Sequence, residues 1–182
     1  PAKDAEAMLP KIHRSMEGLD GLRKLAKDLR KVARPTRSVR KEEDVNEIVR
    51  TVSDLAKANS DRPGVIELDL HATRRVVANA DEIGQIVLNL VLNALDATLA
   101  QGERVAIRTR DDGDRVLVEV EDDGRGIDPM VAHNIFTPFY TTKAQGTGLG
   151  LTISQTIARE HGGDLTFESV PGRTTFALHL PA

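Results

Sequence analysis

The sequence predicts a two-layer α/β domain over residues 42–182, behind a helical arm and basic linker over residues 1–41. Three observations lead there. Apolar residues recur at helical spacing in four stretches and alternate at strand spacing in five, with turn residues between them. Charge divides along the same line: residues 1–41 hold 12 basic and 5 acidic side chains, residues 42–182 hold 13 and 23. Of the 182 residues 40% are apolar but only 3% aromatic, with no Trp, so the core must be built from Val, Ile, Leu and Ala.

From Lys11 to Ala33, the residues Ile12, Met16, Leu19, Leu22, Leu25, Leu29 and Val32 fall every three or four positions, an amphipathic helix that Pro35 ends. Such a stripe cannot bury itself alone, so self-association as half of a four-helix bundle is expected. Thr36 to Lys41 reads as a basic linker. Asp44 should cap the next helix, with Glu47 at capping-box spacing and Val45, Ile48, Val49, Val52 and Leu55 on its buried face. After Arg62-Pro63-Gly64, Val65–Leu70 alternates as a strand. Asp81 should cap a long apolar helix reaching about Leu99. Arg104–Thr109 and Arg115–Glu121 form a hairpin around Asp112-Gly113. A loop-rich stretch follows to Gly148, with one helical turn near Val131. Leu149–His161 is a helix that Gly162-Gly163 ends, and Asp164–Ser169 with Thr174–Leu180 makes a closing hairpin.

Composition excludes several classes. There is no cysteine, hence no disulfide scaffold, thiolate metal site or Cys nucleophile. No apolar run approaches the ~18 residues that cross a bilayer, and Pro1 to Lys11 lacks the apolar stretch of a secretory signal. The expectation is a soluble, cytoplasmic chain without membrane contact. Nucleic-acid binding is not expected, because the basic arm has no aromatic side chain for base stacking.

Four places break local rules. In the helix 81–99, Asn89 and Asn93 interrupt an apolar run and share one face at i, i+4. They are either satisfied core amides or, for Asn93, an oxygen ligand to Mg²⁺. Asp122-Asp123-Gly124-Arg125-Gly126-Ile127 follows a strand; it is either a tight turn or a site where Asp122 accepts from an adenine amine while glycines approach a flat ring. Phe136-Thr137-Pro138-Phe139, with Lys143 after it, is either a loop anchored by its aromatics or a lid hinge delivering Lys143 to a phosphate. Gly146-Thr147-Gly148-Leu149-Gly150-Leu151 runs into a helix, where free backbone N–H groups and the helix N-terminus suit a polyphosphate. It is neither GxGxxG nor GxxxxGK[ST], which speaks against Rossmann and P-loop sites.

Taken in order, Asn-x-x-x-Asn, Asp-x-Gly-x-Gly, Phe-x-Pro-Phe and Gly-x-Gly-x-Gly resemble the successive nucleotide-site motifs of the GHKL superfamily. Within it the chain looks most like the catalytic ATP-binding domain of a two-component sensor histidine kinase, over about residues 44–182. The resemblance implies the Bergerat fold, a mixed sheet packed against helices, with ATP between helices and a mobile lid. It implies Asn93 as Mg²⁺ ligand, Asn89 near the phosphates, Asp96 as a further ATP-binding residue, Asp122 on adenine, and Gly124, Gly126 and Ile127 lining the base. Lys143 and the backbone of Gly146, Thr147, Gly148, Leu149 and Gly150 would close on the β- and γ-phosphates. ATPase members carry a water-activating glutamate at position 89; Asn89 cannot act as a base, so ATP should be held without fast hydrolysis.

The resemblance further implies homodimerisation through dimerisation helices, a response-regulator receiver domain as partner, and a place as the cytoplasmic part of a larger sensor protein. It also implies a phosphoacceptor histidine followed by an acidic residue. His13, His71, His133, His161 and His179 all fail that pattern, so no phosphoacceptor is expected in this chain. The closing Gly172-Arg173-Thr174-Thr175-Phe176 lacks a glycine before Thr174, which weakens a ligand role for Thr174. Other GHKL enzymes and a non-catalytic interaction module remain as alternatives; Asn89 opposes the ATPases, Arg34-Pro35 a serine kinase, and the intact motif set a degenerate site.

Overall fold

The computed structural model describes residues 39–60, 65–99, 102–143 and 146–182. The amphipathic helix expected over 11–33, and the dimerisation it would mediate, lie outside the described residues.

The chain runs through β1 (Lys41–Glu43), α1 (Val45–Ala58), β2 (Ile66–Leu70), β3 (Val76–Ala78) and α2 (Ala80–Thr98). Then come β4 (Val105–Asp112), β5 (Arg115–Asp122), the single turn α3 (Pro129–Ala132), α4 (Gly150–Glu160), β6 (Asp164–Val170) and β7 (Arg173–Pro181). Strands β2, β4, β5, β7 and β6 form one mixed sheet in that order. Only the β2–β4 pair in it is parallel. The mixed sheet packed against helices is thus present.

Alternation explains why this sheet has one covered face. In register, Leu68, Ile107, Val120, Phe176 and Phe167 form one cross-strand row, and Leu70, Thr109, Val118, Leu178 and Leu165 the next. Their apolar members pack against Val45, Val49 and Val52 of α1, Ile83, Ile86, Val87, Leu90 and Val91 of α2, and Ile153 and Ile157 of α4. The opposite face carries charge, with Arg104 and Arg108 both on Glu121 at 2.8 and 3.1 Å. Those guanidinium groups, Arg108 first, hold the Glu121 carboxyl below its usual range.

Four expectations are corrected. Lys41 belongs to a strand, not a linker: β1 pairs antiparallel with β3, itself not foreseen, from Lys41↔Ala78 to Glu43↔Val76. Three-residue strands are too short to display a period of two. The cap of α2 is Asn79, whose side chain accepts from the Glu82 N–H at 3.0 Å; Asp81 instead lies in the first turn, where its charge suits the helix dipole. Asp44 does cap α1, but its carboxylate takes the Asn46 N–H at 2.8 Å rather than that of Glu47. Finally Leu55, expected on the buried face of α1, is half exposed.

Candidate functional site

Helix α2 presents Asn89, Asn93 and Asp96 at i, i+4 and i+7, hence along one face. The two asparagines do different things. Asn89 Nδ2 donates to the buried Ser154 hydroxyl of α4 at 3.1 Å, so it is partly the satisfied packing amide. Its Oδ1 lies so close to the Cα of Gly150 that a Cβ there would collide with it. The N-terminus of α4 is thereby pressed against α2. Asn93 is turned outward, and its Oδ1 accepts from Lys143 Nζ at 2.8 Å. The same ammonium bonds Asp96 Oδ2 at 2.5 Å. Three residues singled out in the sequence therefore meet at one point.

The two aromatics of Phe136-Thr137-Pro138-Phe139 are placed differently. Phe136 is the anchor: its ring meets Phe167 edge-on at 5.9 Å, and its carbonyl accepts from Thr152 of α4. Phe139 is 62% exposed and has φ of 66°, the only positive φ outside glycine among the described residues. Left-handed backbone at a Cβ-bearing residue costs roughly 1–2 kcal/mol. Its N–H bonds the Gly148 carbonyl at 3.0 Å. Gly148, at φ 67°, passes so near that any Cβ would enter the Phe139 backbone. This bracket sets the segment carrying Lys143 and the glycine loop side by side. Thr147 and Leu149 lie between Gly148 and its flanking glycines, and the Thr147 hydroxyl caps the Leu149 N–H at 3.4 Å. Gly146 fits against the Thr141 side chain, where a Cβ would clash.

At the other end of α2, Asp122 closes β5 on the covered face of the sheet and is 3% exposed. Its Oδ1 accepts the Gly124 N–H at 3.0 Å, the arrangement of a tight turn. Burial, opposed by that hydrogen bond and helped by neighbouring Asp123 and Glu121, pushes its carboxyl up to about 6. Gly124 abuts the Ala97 carbonyl and Gly126, at φ 78°, abuts that of Val170. Ile127 N–H is held by the Ser169 hydroxyl at 2.8 Å. Sequence reasoning passed over Ser169, which also bonds Thr174 Oγ1 at 2.9 Å, while Thr174 pairs in register with Asp122. Thr174 is buried beside Asp122, with Arg173 before it in place of the expected glycine. A serine and a threonine at the same end of a hairpin were the available signal.

His161 is buried, with Nδ1 donating to the Ile157 carbonyl at 2.9 Å and Nε2 accepting the Asn79 N–H at 3.2 Å. Both ring nitrogens are engaged in structure. An open concavity of about 380 Å³ between Arg108, Glu119, Glu121, Arg173 and His179 lies on the charged face of the sheet, away from all these motifs. Among the described residues no helix is long and apolar enough to cross a membrane.

The family model for histidine kinase-, DNA gyrase B- and HSP90-like ATPases matches residues 78–182. Sensor histidine kinase ZraS of Klebsiella oxytoca is 36% identical over 89% of this chain and 36% of its own length. Sensory histidine kinase/phosphatase NtrB of Vibrio alginolyticus is 34% identical over 97% of this chain and 55% of its own. This chain thus spans between about a third and about half of the length of these relatives. Among solved structures, the catalytic domain of histidine kinase ThkA matches with a TM-score of 0.67 and 34% identity, over 78% of this chain and 95% of that one.

Proposed function

We propose, from the premise that this chain belongs to the family of histidine kinase-, DNA gyrase B- and HSP90-like ATPases, that it is the catalytic ATP-binding part of a two-component sensor histidine kinase. It transfers the γ-phosphoryl group of ATP to a histidine on a dimerisation domain, for relay to an aspartate of a response-regulator receiver domain. The parent molecule works as a homodimer in the cytoplasm. The observation that carries this reading is Asn89. In the place where a hydrolase needs a carboxylate to activate water stands an amide, and its N–H is tied to Ser154. An amide takes no proton, so the site lacks a general base there.

Phosphoryl transfer depends mainly on positioning and on neutralising phosphate charge. Asp122 accepts the adenine amine, with Gly124, Gly126 and Ile127 lining the ring. The loop Gly146 to Gly150 leads into the start of α4 and faces the polyphosphate with the N–H groups not spent internally, since Gly146 N–H bonds the Lys143 carbonyl at 3.1 Å and Leu149 N–H the Thr147 hydroxyl at 3.4 Å. Lys143 adds a cation from the adjacent segment. Asn93 suits Mg²⁺, since its Oδ1 already takes a cationic partner and is a hard oxygen donor. Among the described residues no group of three or more acidic or His side chains could hold a metal alone, so phosphate oxygens and water would supply the remaining ligands. The bound ion would supply charge neutralisation at the phosphates.

The test is to mix the chain with radiolabelled ATP and a dimerisation domain, carrying its acceptor histidine, from a relative such as ZraS. Acid-labile, base-stable label on that histidine is expected. Label lost wholly to inorganic phosphate would overturn the proposal.

A further inference from the structure

Lys143 reaches α2 from a segment 47 positions away in sequence from Asp96, and bonds both Asp96 and Asn93. The ion pair cannot be there for stability. Both partners are well exposed, with side-chain exposures of 39% and 51%, and exposed pairs contribute little to folding. What the pair does is fix a place. A lysine has four rotatable bonds and a strongly hydrated head, so an unpaired one beside a polyphosphate site is spread over many positions. Asp96 removes that freedom.

The two acceptors are not equivalent. Asn93 is a neutral amide, a weak anchor for an ammonium, whereas Asp96 carries a full charge at the shorter distance. An ammonium has three N–H donors. With one on Asp96 it can exchange its Asn93 bond for a phosphate oxygen without leaving its anchor.

We propose that Asp96 is a positioning residue for Lys143: it does not bind nucleotide, but holds the ammonium at the α2 face where the terminal phosphate of ATP arrives. This rests on the nucleotide-site reading above and deepens it. A carboxylate beside a polyphosphate would otherwise repel it, so the pair makes an acidic residue at position 96 compatible with the site. It also makes recognition of the triphosphate end depend on two residues acting as one, which is what non-additive substitution effects report.

The experiment is equilibrium binding of ATP and of ADP to the 182-residue chain and to Lys143→Ala, Asp96→Ala, Asp96→Glu and the double Ala variant, with thermal melting of each. Lys143→Ala is expected to lower ATP affinity about tenfold and ADP affinity less than about twofold. Asp96→Ala should reproduce that pattern with an unchanged melt, the double variant should be no worse than either single, and Asp96→Glu should restore most of the ATP preference. Additive losses, equal losses for ATP and ADP, or tighter ATP binding in Asp96→Ala would overturn the inference while leaving the site reading intact. A wild-type chain that binds neither nucleotide would overturn both.

Discussion

The amide of Asn89 and the Cα of Gly150 are in direct contact: Nδ2 is fixed by Ser154, and Oδ1 occupies the space a side chain at 150 would need. Helix α4 therefore starts where α2 allows it to, and its N-terminal N–H groups inherit their direction from that packing. Gly150→Ala must push Asn89 off Ser154. Overpacking of this kind costs about 1–3 kcal/mol. The expected result is a lower melting temperature together with at least a tenfold loss of ATP affinity. Normal ATP binding in a folded Gly150→Ala protein would show that the contact does not set the loop.

Asp122 links stability to pH in the unusual direction. Its folded carboxyl titrates at about 6 against an ordinary value of 3.8, chiefly because it is buried. The folded state therefore holds the proton more tightly, and folding stability falls as pH rises from about 3.8 to about 6. Above that range the buried charge costs on the order of 1–3 kcal/mol. Asp122→Asn should melt higher than wild type at pH 7.5, with the difference vanishing near pH 3.5. The same variant should lose adenine-nucleotide affinity, since an amide is a poorer acceptor for the base amine than a carboxylate. Wild-type ATP affinity should likewise drop as pH falls through 6. A pH-independent difference in melting would remove the linkage.

How much of this was legible beforehand follows from the length scale of each signal. The core of α2 and both hairpins announce themselves because Ile86, Val87, Leu90 and Val91, or the alternation in Val116–Val120, repeat over several periods. Strands β1 and β3 do not, being three residues each, and they exist only because each pairs with the other. Asn79 and Asp81 are equally good capping types; the one that caps is Asn79, whose backbone N–H is held by His161 of the distant α4 end, a contact no local pattern carries. The motifs around Asn93, Asp122 and Gly148 stand out as polar or glycine residues in places that packing alone would fill otherwise. That Lys143 meets Asp96, or that Ser169 holds Ile127, depends on chain returns of more than 40 residues and no local pattern carries it.

Ser53 lies in the packed interface of α1 with a fully buried hydroxyl that has no hydrogen-bond partner among the described residues. Removing an unsatisfied buried hydroxyl, and gaining helix propensity, should stabilise the fold by about 1 kcal/mol in Ser53→Ala. Urea unfolding with an unchanged slope would measure it. Destabilisation would mean that the hydroxyl is satisfied after all.

His161 joins the end of α4 to the start of α2 by accepting the Asn79 N–H. His161→Ala leaves that N–H and the Ile157 carbonyl contact unfilled and opens a void, so a loss of about 2–4 kcal/mol is expected. Urea unfolding would read it directly. An unaltered midpoint would show that the Asn79 cap does not depend on the imidazole.

The central claim is that this site holds ATP for transfer rather than for hydrolysis. It is tested by measuring inorganic phosphate release from Mg-ATP by the isolated chain, on protein already shown to bind a non-hydrolysable ATP analogue. The expected result is analogue binding that weakens sharply in Asn93→Ala, with almost no phosphate released over many minutes. Sustained multiple turnover would contradict the account, because a group other than Asn89 would then be activating water.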